Sequence, residues 1–178
     1  MDKPVMTGAE ALVQTLEAAG VDRCFTNPGT SEMHAVAAIG RAATLRASLC
    51  LFEGVATGAA DGYARIARKP ACTLLHLGPG LANGLANLHN ARRARSPIVN
   101  IVGDHAVSHR TLDAPLASDL AGFAAPVSQW IRSADTADEV GEAAAEAVAA
   151  SQAAPGGVAT LILPADTAWT ETTKGPAA

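Results

Sequence analysis

The chain has 178 residues, of which 49% are hydrophobic and 3% aromatic, and this is typical of one globular domain. Its 13 Lys and Arg residues against 17 Asp and Glu residues give a formal net charge of -4. An acidic balance excludes the extended positive surface that nucleic acids and anionic membranes select, so we expect neither as a partner.

The cysteines and the N-terminus indicate the cellular compartment of the protein. Cys24, Cys50 and Cys72 are widely spaced within apolar runs, which favours buried reduced thiols over a disulfide framework or a zinc site. The first residues lack the apolar core of a signal peptide, and no stretch approaches the roughly 18 consecutive apolar residues of a membrane-spanning helix. These features predict a cytoplasmic protein.

Strands and helices are predicted to alternate along the chain. Thr7 and Glu10 fit a helix capping box, and apolar residues follow at helical spacing. Helices are predicted at 7–20, 31–43, 54–67, 81–95 and 135–153, and strands at 21–25, 45–52, 71–77, 97–102, 127–132 and 158–163. Residues 78–80 are predicted to form a turn, and residues 104–126 show little periodicity.

Six short apolar strands separated by helix-length connections predict a parallel sheet, because parallel neighbours require crossovers. The expected fold is therefore α/β, with three layers (α/β/α) around a six-stranded, mainly parallel sheet. We assign residues 1–167 to this domain and the polar residues 168–178 to a linker or tail.

Glu53 is the main candidate for a functional residue. Ligands of an open parallel sheet bind beyond the carboxyl ends of its strands, and Glu53 stands at such an end. Its neighbours in sequence are apolar, so desolvation favours the neutral carboxyl, which can exchange a proton with a ring nitrogen. The alternative is a helix N-terminal carboxylate satisfied by backbone amides. No predicted strand is followed by a GxGxxG or Walker A motif.

Several segments together resemble one enzyme family. Residues 52–65, FEGVATGAADGYAR, resemble the signature of the pyrimidine-binding (PYR) domain of thiamin-diphosphate-dependent enzymes, in which E-x-x-A leads to GYAR. Further segments are similar, in the same order, to the family's G-V-x-x-x-F-x-x-P-G opening, its G-P-G-x-x-N turn, the strand after it and the closing P-x-D: residues 20–29, 78–83, 96–99 and 155–166. The resemblance covers nearly all of residues 7–167.

The resemblance implies the role of each matching residue. The glutamate that matches Glu53 hydrogen-bonds N1′ of the cofactor's aminopyrimidine and favours its imino tautomer, which generates the ylid that attacks a 2-keto acid. The chemistry belongs to the cofactor, and the protein supplies orientation and proton transfer. The cofactor-binding residues implied by the motifs are Pro28, Gly29, Glu53, Gly78, Pro79, Gly80 and Asn83.

Two features are similar to the branch of benzoylformate decarboxylases and acetolactate synthases. The segment NPGTSE at 27–32 places Thr30 where the decarboxylases have a substrate-contacting serine. His76 lies where they have an active-site histidine, with a core histidine as the alternative. The synthases' F-Q-E segment is absent from residues 113–119, and we interpret His105 and His109 as solvated loop histidines.

The family's G-D-G motif for diphosphate and Mg²⁺ is absent from the sequence, and we predict no metal ligand in this chain. The resemblance implies that Mg²⁺ is held by a domain absent from this chain, either a second chain or a C-terminal part. We therefore predict the pyrimidine-binding half of a decarboxylase or carboligase, inactive alone and assembled as a homodimer or higher oligomer. A non-catalytic binding or dimerisation module with the same fold, or a flavodoxin-like nucleotide-binding protein, is the alternative.

Overall fold

Strands and helices alternate through residues 5–177, the part of the chain described by the computed structural model. The strands are β1 Met6–Thr7, β2 Arg23–Asn27, β3 Arg46–Leu49, β4 Ala71–Leu75, β5 Ile98–Asp104, β6 Trp130–Ser133, β7 Val158–Pro164 and β8 Glu171–Thr172. The helices are α1 Gly8–Ala18, α2 Met33–Gly40, α3 Glu53–Ala67, α4 Leu77–Ala94, α5 Leu120–Ala124, α6 Ala137–Gln152 and α7 Ala165–Trp169, with 3₁₀ turns at Thr30–Glu32 and Val107–Leu112.

Six strands form one parallel sheet in the order β3-β2-β4-β5-β7-β6. Helices α1, α2 and α6 pack on one face, and α3, α4 and α5 pack on the other. Burial on both faces explains why β4 and β7 are buried along their whole length. The predicted three-layer α/β fold with six parallel strands is therefore confirmed.

The order of the strands places a crevice between β2 and β4. From β2 the chain crosses to β3 on one side, and it then returns to β4 on the other side. Connections that leave in opposite directions separate at the carboxyl edge of the sheet, and ligands of open α/β sheets bind at such points. The turns that follow β2, β3 and β4 meet there.

Helix α4 begins earlier than the sequence predicted. Residues 78–80, predicted as a turn, form its first turn, because a helix begins at Leu77. Proline is compatible with this place, since the first N–H groups of a helix have no partner within it. The glycines and the proline that suggested a turn therefore shape a helix N-terminus at the edge of the sheet.

The C-terminal residues pack against the domain where a linker or tail was predicted. The predicted boundary at residue 167 falls inside α7, and β8 pairs antiparallel with β1. Asp138 of α6 accepts hydrogen bonds from the Thr172 hydroxyl at 2.8 Å and from the Thr173 backbone N–H at 2.6 Å. A polar composition alone did not reveal these partners. Among residues 5–177, no helix is both long and apolar enough to cross a membrane.

Candidate functional site

Three strand ends bring the candidate residues together at the crevice between β2 and β4. Glu53 is the first residue of α3 and follows β3, while His76 follows β4 and precedes α4. The turn after β2 contributes Gly29, whose Cβ position would overlap the His76 ring if it carried a side chain. Residues distant in sequence are therefore neighbours at one edge of the sheet.

Glu53 is buried, with 8% of its surface exposed. The Asn83 side-chain amide donates a hydrogen bond to its Oε2 at 3.0 Å, while Oε1 accepts no hydrogen bond from residues 5–177. The alternative, a carboxylate satisfied by backbone amides, is not what the structure shows. One carboxylate oxygen is thus fixed by an amide and the other is left free.

Gly80 leaves space beside the free oxygen of Glu53. A Cβ at this position would lie 3.6 Å from Glu53 Oε1 and 3.5 Å from the Cβ of His76. A side chain would therefore fill the volume in front of the carboxylate. The unpaired oxygen suits a ligand that needs a hydrogen-bond partner at one ring nitrogen.

Helices α3 and α4 hold this arrangement through buried polar contacts. The Thr57 hydroxyl lies 3.0 Å from the Glu53 carbonyl oxygen and 3.1 Å from the Gly84 carbonyl oxygen. The Asn87 side-chain amide donates to the Gly54 carbonyl oxygen at 2.6 Å. Since these bonds join the first turn of α3 to the middle of α4, they fix Glu53 relative to the residues of α4.

The other predicted contact residues differ in their positions. Pro28 is half-buried in the turn after β2, and Thr30 is exposed at the start of the 3₁₀ turn. Pro79 is exposed, whereas Gly78 is buried against the loop 113–119, where its Cβ position would overlap the Ser118 hydroxyl. Gly78 therefore serves close packing between α4 and this loop.

Glu32 is a member of the site that the sequence analysis did not single out. Its side chain is fully buried, and its Oε2 lies 2.8 Å from Nδ1 of His76. The same oxygen accepts a hydrogen bond from the Gly29 N–H at 2.6 Å. Burial raises the pKa of Glu32, and the Gly29 N–H and His76 oppose that shift. The signal was present, because a glutamate three residues after Gly29 has the spacing of a capping box.

His105 differs from the prediction of a solvated loop histidine. Its Nε2 is buried and has no hydrogen-bond partner among the described residues, whereas His109 is exposed. His105 lines a cavity of about 290 Å³ together with Asp104 and Ser118. The Arg110 guanidinium bonds Asp104 at 2.9 Å, so the loop that the sequence left undefined is fastened to the end of β5.

Comparison with known protein families identifies the family of this chain. The family described as "Thiamine pyrophosphate enzyme, N-terminal TPP binding domain" matches residues 6–120. The chain belongs to this family. The predicted resemblance is therefore confirmed.

Two curated proteins are similar in sequence to most of this chain. A protein of Mycobacterium tuberculosis (strain ATCC 25618 / H37Rv), named "Putative acetolactate synthase large subunit IlvX", is 61% identical over 166 residues, which are 93% of this chain and 32% of that protein. Benzoylformate decarboxylase of Pseudomonas aeruginosa is 31% identical over 157 residues, 88% of this chain and 29% of the decarboxylase.

A solved structure agrees with these sequence relatives. The thiamine diphosphate-dependent 4-hydroxybenzoylformate decarboxylase of Rhodococcus jostii RHA1 superposes with a TM-score of 0.88 at 25% identity, covering 94% of this chain and 32% of that one. The chain therefore spans about a third of the length of the thiamine pyrophosphate enzymes that it matches.

Proposed function

We propose that this chain is the pyrimidine-binding half of a thiamin-diphosphate-dependent 2-keto-acid decarboxylase or carboligase. The observation that carries the proposal is the buried carboxylate of Glu53, whose Oε1 accepts no hydrogen bond from residues 5–177 and lies next to Gly80. A carboxyl group in this setting can hold a proton and pass it to a ring nitrogen. Because the chain belongs to the thiamine pyrophosphate enzyme family, we assign this ring to the aminopyrimidine of the cofactor.

The residues of this chain bind the cofactor and move protons. Bound thiamin diphosphate supplies a nucleophilic carbon and an electron sink for the loss of carbon dioxide. Glu53 exchanges a proton with the aminopyrimidine through Oε1, while Asn83 holds Oε2 and so fixes the plane of the carboxylate. Gly80 admits the ring, and the turn containing Pro28 and Gly29 closes the crevice from the side of β2.

His76 and Thr30 are the residues that we assign to the substrate. The His76 side chain is 24% exposed at the end of β4, so its ring is accessible from the crevice. Thr30 places a hydroxyl at the exposed start of the 3₁₀ turn after β2. A histidine and a hydroxyl on opposite walls suit the carboxylate and carbonyl oxygens of a 2-keto acid.

The diphosphate and its Mg²⁺ are assigned to a domain outside this chain. The chain spans 32% of the M. tuberculosis relative and 29% of the Pseudomonas decarboxylase, so most of each relative has no counterpart here. Under this proposal the chain holds only the pyrimidine end of the cofactor and is inactive without the diphosphate-binding domain of a second chain or of a C-terminal part.

An exposed apolar surface beside Glu53 supports association of two such domains. We define it as the β3–α3 surface, formed by Leu49 (70% exposed), Leu51 (92%), Phe52 (49%) and Val55 (57%). Contiguous apolar residues of this size are unusual on an isolated surface. Because they flank Glu53, a homodimer or higher oligomer formed there also excludes water from the crevice.

The replacement Glu53→Gln tests the proposed function. In the protein completed with its diphosphate-binding domain, we expect turnover of 2-keto acids to fall by about 100-fold or more, because amide nitrogen cannot exchange the proton. Glu142→Gln, an exposed glutamate of α6, is the matched control and keeps wild-type turnover. Near-normal turnover of Glu53→Gln contradicts the proposal and favours the binding-module alternative.

A further inference from the structure

A second buried carboxylate, Glu32, lies behind His76 at the same crevice. Its Oε2 contacts Nδ1 of His76 at 2.8 Å across the gap between β2 and β4. The Glu32 side chain is wholly buried, while the His76 side chain is 24% exposed. The carboxylate thus faces the inner nitrogen of the ring, and the outer nitrogen, Nε2, has no hydrogen-bond partner among residues 5–177.

Two glycines pack closely against this pair. A side chain at Gly29 would overlap the His76 ring, and a Cβ at Gly103, near the end of β5, would lie 2.8 Å from Glu32 Cγ. Such a separation is shorter than a van der Waals contact. Gly29, in the turn after β2, and Gly103, in β5, therefore give the carboxylate and the imidazole the room to meet.

The hydrogen bonds favour one tautomer of His76. Glu32 Oε2 already accepts the Gly29 N–H at 2.6 Å, so this oxygen acts as a hydrogen-bond acceptor. The Nδ1 of His76 then donates its proton to the same oxygen, so Nε2 keeps its lone pair. A neutral imidazole in this state accepts a proton at Nε2, and the resulting cation lies beside a buried negative charge.

We infer that Glu32 is a positioning residue that holds His76 as the Nδ1–H tautomer, with Nε2 presented to the reacting substrate. The inference rests on the proposed function, because Nε2 exchanges its proton with the substrate's carbonyl oxygen, which becomes a hydroxyl and then a carbonyl again. The proton moves to Nε2 and returns from it, so His76 ends each turnover neutral and no other reactant is consumed.

The tautomer of His76 tests the inference without reference to activity. We expect ¹⁵N NMR of the full-length protein, labelled at histidine and compared with His76→Ala, to show a protonated Nδ1 and an unprotonated Nε2 at a pH where the ring is neutral. The opposite tautomer, Nε2–H, overturns the inference even if Glu53→Gln confirms the proposed function. This measurement needs no Glu32 variant to fold.

Kinetics of variants distinguish positioning from a structural role. In the completed enzyme we expect Glu32→Gln to lower kcat about 10- to 100-fold with little change in KM, because the proton-transfer contribution of His76 is partly lost. In the His76→Ala background, the same replacement has no further effect, since Glu32 acts through His76. An equal loss in both backgrounds shows a structural role and overturns the inference.

Discussion

At the scale of single residues, the crevice separates two carboxylates with different surroundings. Glu53 has one oxygen bonded to Asn83 and one free toward the gap at Gly80, whereas Glu32 bonds the Gly29 N–H and His76. Two acidic groups in one site can have different roles when their hydrogen-bond partners differ, here proton exchange with the cofactor and positioning of a histidine. Oε1 of each glutamate lacks a hydrogen-bond partner among residues 5–177, but Glu32 Oε1 is buried against Gly103, so we assign the cofactor ring to Glu53.

The first prediction at this scale concerns Gly80. Gly80→Ala places a methyl group 3.6 Å from Glu53 Oε1 and 3.5 Å from the His76 Cβ, ordinary contact distances that cost no strain. We expect the free energy of unfolding to rise by about 0.5–1 kcal/mol, because alanine favours a helix. Cofactor affinity is expected to fall at least tenfold, because the methyl group occupies the volume assigned to the ring.

Urea unfolding and titration calorimetry of the completed protein measure these two effects. Gly40→Ala is the matched control, since a Cβ at this exposed residue of α2 meets nothing within 4 Å. It should leave cofactor affinity unchanged. Unchanged affinity in Gly80→Ala would show that the ring lies elsewhere.

At the scale of elements, the contact between α3 and α4 determines the geometry of the site. Thr57 bonds backbone carbonyls of both helices, and Gly84 allows the close approach. The Asn87 amide joins α4 to the first turn of α3. Because Glu53 begins α3 and Gly80 lies in the first turns of α4, a shift between the helices alters the gap in front of the carboxylate.

Gly84→Ala tests this helix contact. The added Cβ would lie 3.0 Å from Thr57 Cγ2 and 3.2 Å from Leu75 Cδ1, and both neighbours are fully buried. Crowding of about 1–3 kcal/mol exceeds the gain of alanine in a helix, so we expect a net loss of stability of about 1 kcal/mol. Urea unfolding against the Gly40→Ala control measures it, and a stabilised Gly84→Ala protein contradicts the tight contact.

Elements were predictable from the sequence where local signals agree. The capping box of Thr7 and Glu10 is present, and the buried runs of β4 and β7 lie at the predicted strands. The start of α4 was not predictable from the sequence, because residues 78–80 have the composition of a turn. They are helical in the structure, where Gly78 packs on the loop 113–119. Such packing depends on residues distant in sequence.

The candidate site was predictable to a similar degree. Glu53 was recognisable from its place after an apolar strand, and it lies at the crevice as expected for a strand end. Glu32 was missed, although the motif at 27–32 contains it, since its partner His76 is 44 residues away along the chain. A contact across two strands of a sheet has no local pattern.

At the scale of the whole molecule, the segment 171–177 is fastened to the domain by Asp138. This carboxylate accepts bonds from Thr172 and Thr173, and these bonds lower its pKa to about 2. The Ala177 N–H also donates to the Thr15 hydroxyl oxygen of α1 at 3.0 Å. Helices α1 and α6, which pack on the same face of the sheet, therefore hold the C-terminal end of the described residues.

The acid stability of the protein tests this attachment. A carboxyl whose pKa is lowered on folding from 3.8 to about 2 stabilises the folded state above pH 4, and this contribution is lost as the pH falls through 2. The difference in unfolding free energy between wild type and Asp138→Asn should therefore be largest above pH 4 and shrink toward pH 2. Urea unfolding across this range measures it, and a constant difference contradicts the attachment.

A crystal structure of the completed protein with thiamin diphosphate bound would test the role of Glu53 directly. We expect Glu53 Oε1 to lie within about 3.2 Å of a nitrogen of the aminopyrimidine ring, with the ring above Gly80. A ring bound in another crevice, or a Glu53 carboxylate that contacts only protein or water, would show that Glu53 does not bind the cofactor.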